Sequence, residues 1–156
     1  MSCEDPRSAI PRLLELKALY PEHPRINNFL AKAYTTIGDW NRVKKIVEES
    51  YRQNPEYLFA KINYASICMQ RGEEERVPAI LENKFDLGEL YPHRNTFHIT
   101  EAVAFFGIVG LYYAGIGELA KSRTMLKLLE GLDSNAEMTS ELRRRILAKA
   151  KIMSAA

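Results

Sequence analysis

Residues 24–55 read PRINNFLAKAYTTIGDWNRVKKIVEESYRQNP. Phe29, Leu30, Ala33, Tyr34 and Ile37 recur at steps of three and four with polar residues between them, the spacing of one buried helix face. Gly38 then permits a left-handed backbone at the helix end, and the Asp39 carboxylate can accept the free amides of the next helix start. Val43, Ile46, Val47, Ser50 and Tyr51 mark the buried stripe of that second helix. Asn54 is placed to cap the helix that follows, with Pro55 at its first position. The stretch predicts a helix, a tight turn and a second helix.

A step of 34 residues repeats this pattern. It aligns Asp5, Asp39 and Glu73; Ala9, Val43 and Val77; Leu13, Val47 and Leu81; Pro21 with Pro55; and Gly38 with Gly72. Five columns in one register are a repeat rather than coincidence. A further copy, through Gly117, Glu118, Ser122 and Leu126, follows Gly72, Glu73, Val77 and Leu81 by 45 residues, which is the same period with 11 residues inserted between about Phe85 and Thr100.

The expected fold class is therefore all-α, in a single domain over 1–156. A half repeat covers 8–20, and a full repeat covers 24–55 as helices 24–37 and 39–53. The next repeat, 56–84, comprises helices 56–71 and 73–84. An insertion occupies 85–99, a third repeat 100–131 has helices 100–116 and 118–131, and a capping helix covers 136–152. Ser134 and Glu137 have the spacing of a capping box at the start of that last helix. Pro11 and Pro78 are expected within the first turn or so of their helices, where a missing donor costs little.

These residues resemble the tetratricopeptide repeat. With Pro24 at the first position of the family motif, Leu30, Ala31, Tyr34, Gly38, Asp39, Trp40, Val43, Val47, Ser50 and Pro55 fall on signature positions. Phe106, Val109, Gly110, Tyr113, Gly117, Ser122 and Leu126 match in the third hairpin, and Tyr64, Ala65, Gly72, Val77 and Leu81 in the middle one. The middle copy departs at Cys68, where an aromatic is usual, and at Lys84, where a small residue is usual. The resemblance spans roughly residues 8–134. It implies an α-solenoid of antiparallel helix pairs, a right-handed superhelix with a C-terminal capping helix, in which Ala31, Ala65 and Gly110 let paired helices cross closely. The first helices of the pairs then line a concave groove that binds peptides or partner domains.

In the family register the groove residues are Arg25, Asn28 and Lys32, then Phe59, Ile62, Asn63 and Ser66, and finally Leu111. The rim is basic and polar at one end and apolar further along, which suits a partner segment with an apolar anchor and an acidic flank. The family's clamp for a terminal carboxylate is incomplete: Asn28, Lys32 and Asn63 resemble its first members, but Ala104 and Ile108 stand where bases are needed.

Composition narrows the function classes. Lys plus Arg is 22 against 20 Asp plus Glu, a net +2, so no global field for gripping nucleic acid or an anionic membrane exists. No apolar run is long enough for a membrane span, and the start MSCEDPRS lacks a signal core. Cys3 and Cys68 cannot form a disulfide framework, which points to a reducing, cytoplasmic setting. With three His and two isolated Cys, no nucleophile–base pair, metal shell or phosphate-cradling loop stands out, so no enzyme activity, metal or cofactor is expected. His93 and His98, in the insertion, are read as solvated or capping residues. The last helix carries Arg143, Arg144, Arg145, Lys149 and Lys151 against Glu141, as a polar outer cap would. The leading reading is a protein-interaction module, an adaptor or chaperone-like holder of a protein or peptide partner. An RNA-binding helical repeat and a structural subunit that self-associates through the apolar helix 100–116 are the competing readings.

Overall fold

The structure, a computed structural model, describes residues 5–156, so Cys3 and the first residues of the start segment lie outside it. The described residues form nine α-helices and one 3-10 turn, with no strand. The helices are α1 (Pro6–Leu19), α2 (Pro24–Thr36), α3 (Trp40–Gln53), α4 (Leu58–Gln70), α5 (Val77–Ile80), α6 (Leu87–Leu90), α7 (Ile99–Gly115), α8 (Leu119–Asp133) and α9 (Glu137–Ser154). They pack in neighbouring pairs, and the chain forms two compact units whose boundary falls between Ile67 and Cys68, inside α4.

In the first unit, the Asp5 carboxylate accepts the Arg7 amide and opens α1 with Pro6 at its first turn. This start is earlier than residue 8, so Pro11 sits in the second turn. There its missing N–H leaves the Arg7 carbonyl without its usual helical donor, on a side chain face open to water. Ile26, Leu30, Ala31 and Tyr34 of α2 meet Val43, Ile46 and Val47 of α3 and Ile67 of α4, with Ile10 and Leu13 of α1 packed against them. Burying each of the larger side chains contributes about 1.5–3 kcal/mol. Lys17 of α1 donates to Glu49 of α3 at 2.8 Å, and Tyr51 stacks on Tyr64 with centroids 4.5 Å apart. Asn54 ends α3 rather than capping α4. Its amide is drawn to the Glu22 carbonyl at 3.1 Å, and α4 begins only at Leu58, leaving Pro55 outside the helix.

The turn after α2 has a definite geometry. Gly38 sits at φ 75°, its amide reaches the Thr35 carbonyl, and the Asp39 amide reaches the Tyr34 carbonyl. This is the paired 5→2 and 6→1 closure of a helix by a left-handed residue. The same pair of bonds recurs after α4, from Gly72 (φ 72°) to Met69 and Glu73 to Cys68, and after α7, from Gly117 (φ 86°) to Ala114 and Glu118 to Tyr113.

In the second unit, the helix expected over 73–84 is cut short. A 3-10 turn at Glu74–Arg76 leads into α5, which stops at Ile80. Glu82 (φ 54°) and Asn83 (φ 56°) are both left-handed, and their amides close on the Ala79 and Pro78 carbonyls. Asp86 then caps α6 through the Gly88 and Glu89 amides. The core of α7, α8 and α9 is built from Phe105, Ile108, Val109 and Ala114 with Leu129, Leu142 and Ile146. The expected capping box of Ser134 and Glu137 is absent. Ala136 precedes α9 without a side-chain cap, and the Thr139 hydroxyl bonds the Asp133 carbonyl at 2.8 Å instead. A capping box forms at His98 and Glu101, at the start of α7.

Candidate partner-binding surface

The exposed arc of α2 follows from helical spacing. Arg25, Phe29, Lys32 and Thr36 recur at steps of three and four and all face solvent, while Ile26, Leu30, Ala33 and Tyr34 turn inward. Phe29 is 52% exposed, a correction to its expected place in the buried stripe. It therefore supplies an apolar side chain between two cations, Arg25 one turn before it and Lys32 one turn after.

Asn28 lies at the α4 side of this arc. Its Oδ1 accepts the Asn63 Nδ2 at 3.0 Å, tying α2 to α4. Each carboxamide has a donor and an acceptor end, so the shared bond uses one of each. The Asn28 Nδ2 and the Asn63 Oδ1 take no part in that bond, and both residues are half-exposed. Exchanging N and O in both amides leaves the same count. A donor and an acceptor of this kind match those of a peptide backbone unit. Ser66, one turn beyond Asn63, is half-buried, as is Phe59, whose ring lies tilted against that of Tyr57 with centroids 5.9 Å apart.

Two of the eight expected groove residues are not accessible. Ile62 is only 5% exposed and Leu111, in the second unit, only 7%. Both are branched apolar side chains, and burial outcompetes a place on an open face. The structure brings Arg25, Asn28, Lys32 and Asn63 together in the first unit, with Phe59 and Ser66 on the same helix as Asn63. Phe29 is the residue the sequence pattern misassigned. The signal that could have found it is its one-turn offset from Arg25 and Lys32.

The connection before α7 is ordered by its own contacts rather than open. Arg94 donates two bonds to the Glu101 carboxylate, at 3.0 and 2.8 Å, and its guanidinium stacks over Phe97 at 4.3 Å and Tyr91 at 5.8 Å. The hydrogen bonds from Arg94, with help from the His98 backbone amide, hold the Glu101 pKa below the usual carboxylate value, and Glu101 in turn raises that of Arg94. The His98 ring accepts the Thr100 amide, so this histidine is the cap of α7. Toward the other end of α7, burial pushes the Tyr112 phenol up, in an aromatic cluster with Phe85 and Tyr113.

Helix α7 spends its small residues inside the chain. A Cβ on Gly107 would enter the Met138 side chain, and one on Gly110 would lie 2.5 Å from Leu142 Cδ2 and 3.1 Å from Met125 Cβ. The face of α7 that carries Gly107 and Gly110 is covered by α9, whose Lys149 also caps the α7 carboxyl end at the Gly115 carbonyl, 3.0 Å away. Among the described residues no group of three or more His, Cys, Asp and Glu could hold a metal ion, and no helix is long and apolar enough to cross a membrane.

No family model, curated protein or solved structure matches this chain.

Proposed function

We propose that the chain is a protein-interaction module of tetratricopeptide type, an adaptor or chaperone-like holder, which seats a peptide or partner segment on the face shared by α2 and α4. The observation that carries this reading is the Asn28–Asn63 bond, flanked by Arg25, Phe29 and Lys32. Together they offer a backbone-like donor and acceptor, an apolar contact and two cations. An extended segment with an apolar residue and an acidic flank is complementary to all of these. The solenoid part of the proposal draws on the recurrence of one turn geometry at Gly38, Gly72 and Gly117. A cytoplasmic setting belongs to the same reading.

The test is selection of a displayed random peptide library on the purified chain. Enriched sequences are expected to carry an apolar residue near Asp or Glu. Their affinity should fall about tenfold in Phe29→Ala and in Lys32→Glu, as for an anchor and a charge at the centre of a contact. Arg52→Ala, on the exposed side of α3, should leave binding unchanged. Failure to enrich any peptide, or peptides indifferent to both α2 substitutions, sinks the reading.

A further inference from the structure

A second surface, in the other unit, is built by α8 and α9. Arg143 of α9 pairs with Glu130 of α8 at 2.9 Å, which marks where the two antiparallel helices lie side by side. On the same side as Glu130, Arg123 and Lys127 follow at steps of seven and three residues back along α8. On the same side as Arg143, Leu147 and Lys151 follow at steps of four, with Arg144 beside them. All of these side chains are exposed, and Leu147 is 58% exposed. Arg123, Lys127, Arg144 and Lys151 make no ion pair among the described residues. The strip thus holds five cations and one acid, with an exposed leucine among them.

The macrodipole does not account for it. Lys127 lies in the middle of α8 and Arg143 and Arg144 in the middle of α9, whereas helix-end charges act within the last turn. Nor does the strip suit single-stranded nucleic acid, whose bases need aromatic platforms: residues 118–156 contain no Phe, Trp, Tyr or His.

We propose that this strip is a docking site for an acidic amphipathic helix of a partner protein, with an apolar side chain of the partner against Leu147 and its carboxylates toward Arg123, Lys127, Arg144 and Lys151. The charge complementarity and the exposed leucine at the strip's centre carry the inference. It does not depend on the α2–α4 reading and concerns different residues.

The experiment is fluorescence anisotropy of the full chain with a labelled helical peptide in which Glu pairs alternate with Leu one turn apart. A peptide with Gln for every Glu and a labelled oligouridine serve as comparisons. The Glu peptide should bind and the Gln peptide should not. Lys127→Glu should weaken binding about tenfold and Leu147→Ala about fivefold. Arg145→Glu, on another side of α9, should change it less than twofold. Raising salt from 50 to 200 mM should weaken the complex several-fold. All substituted positions are exposed, and unchanged thermal unfolding of each variant confirms that folding is not the cause. The proposal is overturned if the Glu peptide fails to bind, or if Lys127→Glu and Leu147→Ala are both without effect. It is also overturned if oligouridine binds more tightly than the Glu peptide, or if sedimentation shows the strip buried by a second copy that Lys127→Glu releases.

Discussion

The Ser122 hydroxyl of α8 donates to the Gly110 carbonyl of α7 at 2.8 Å, and both residues are buried. A helix carbonyl already bound to its own helix can accept a second donor, and this one ties α8 to α7. Ser122→Ala removes one buried hydrogen bond and leaves no charged group stranded. The expected loss is about 1 kcal/mol of stability, read as a lower urea midpoint with an unchanged slope.

Gly110 itself is the less replaceable partner. A methyl group there meets Leu142, which is fully buried, and the Met125 Cβ, and at Gly107 it meets the half-buried Met138 side chain from its Cγ outward. Ala is favoured over Gly in a helix by about 1 kcal/mol, and overpacking costs about 1–3 kcal/mol. Gly110→Ala and Gly107→Ala are therefore both expected to destabilise. Leu142→Val in the Gly110→Ala background should recover part of the loss. Thermal unfolding of the three variants checks these effects.

At Gly38 the space around the position is open, with no atom within 4 Å of an added Cβ, so any cost of substitution comes from the backbone at φ 75°. Gly38→Ala should cost about 1–2 kcal/mol, and Gly38→Asn distinctly less, because Asn tolerates the left-handed region. Equal effects of the two substitutions in chemical denaturation would show that packing, not backbone, sets the penalty.

These turns were legible because left-handed closure is a local property: a glycine followed by Asp or Glu, at the end of an apolar period, states it within a few residues. The paired helices around Gly38 and Gly117 were legible for the same reason. Burial of individual side chains was not. Phe29 and Ile62 are both apolar and both lie on first helices, yet one is half exposed and the other 5% exposed. Which face of a helix is covered depends on neighbours distant in sequence, and the family register assigns positions without knowing them. The short α5 escaped because Val77, Ile80 and Leu81 keep the helical spacing while the closure at Glu82 uses no glycine to signal it.

The Arg94–Glu101 clasp predicts a pH dependence. The folded Glu101 pKa lies below its ordinary value of about 4.3, so the unfolded chain binds this proton more readily. The contribution is complete above the ordinary value and is lost as pH falls through the lower folded one. Arg94→Gln removes the bonds that depress the pKa. The variant should be less stable at neutral pH and should lose less stability between neutral pH and pH about 3 than the parent. Parallel pH profiles of the two unfolding midpoints would remove the clasp from the account of acid stability.

Glu82 closes α5 in a conformation that suits glycine. At φ 54° a side chain costs about 1–2 kcal/mol, and the unfolded-state entropy of Gly gives back about 0.5–1 kcal/mol of that advantage. The Glu82–Lys84 pair, at 3.0 Å, is more than a third exposed on both sides and offsets little. Glu82→Gly is thus expected to stabilise by a few tenths to about 1 kcal/mol. Asn83→Gly should gain less, since Asn already tolerates φ 56°. Neither change lengthens α5, because the closing bonds to Ala79 and Pro78 come from the backbone and persist. A higher thermal midpoint for Glu82→Gly with unchanged helical circular dichroism is the expected result. A lower midpoint would mean that the Glu82 side chain contributes more than its backbone strain removes.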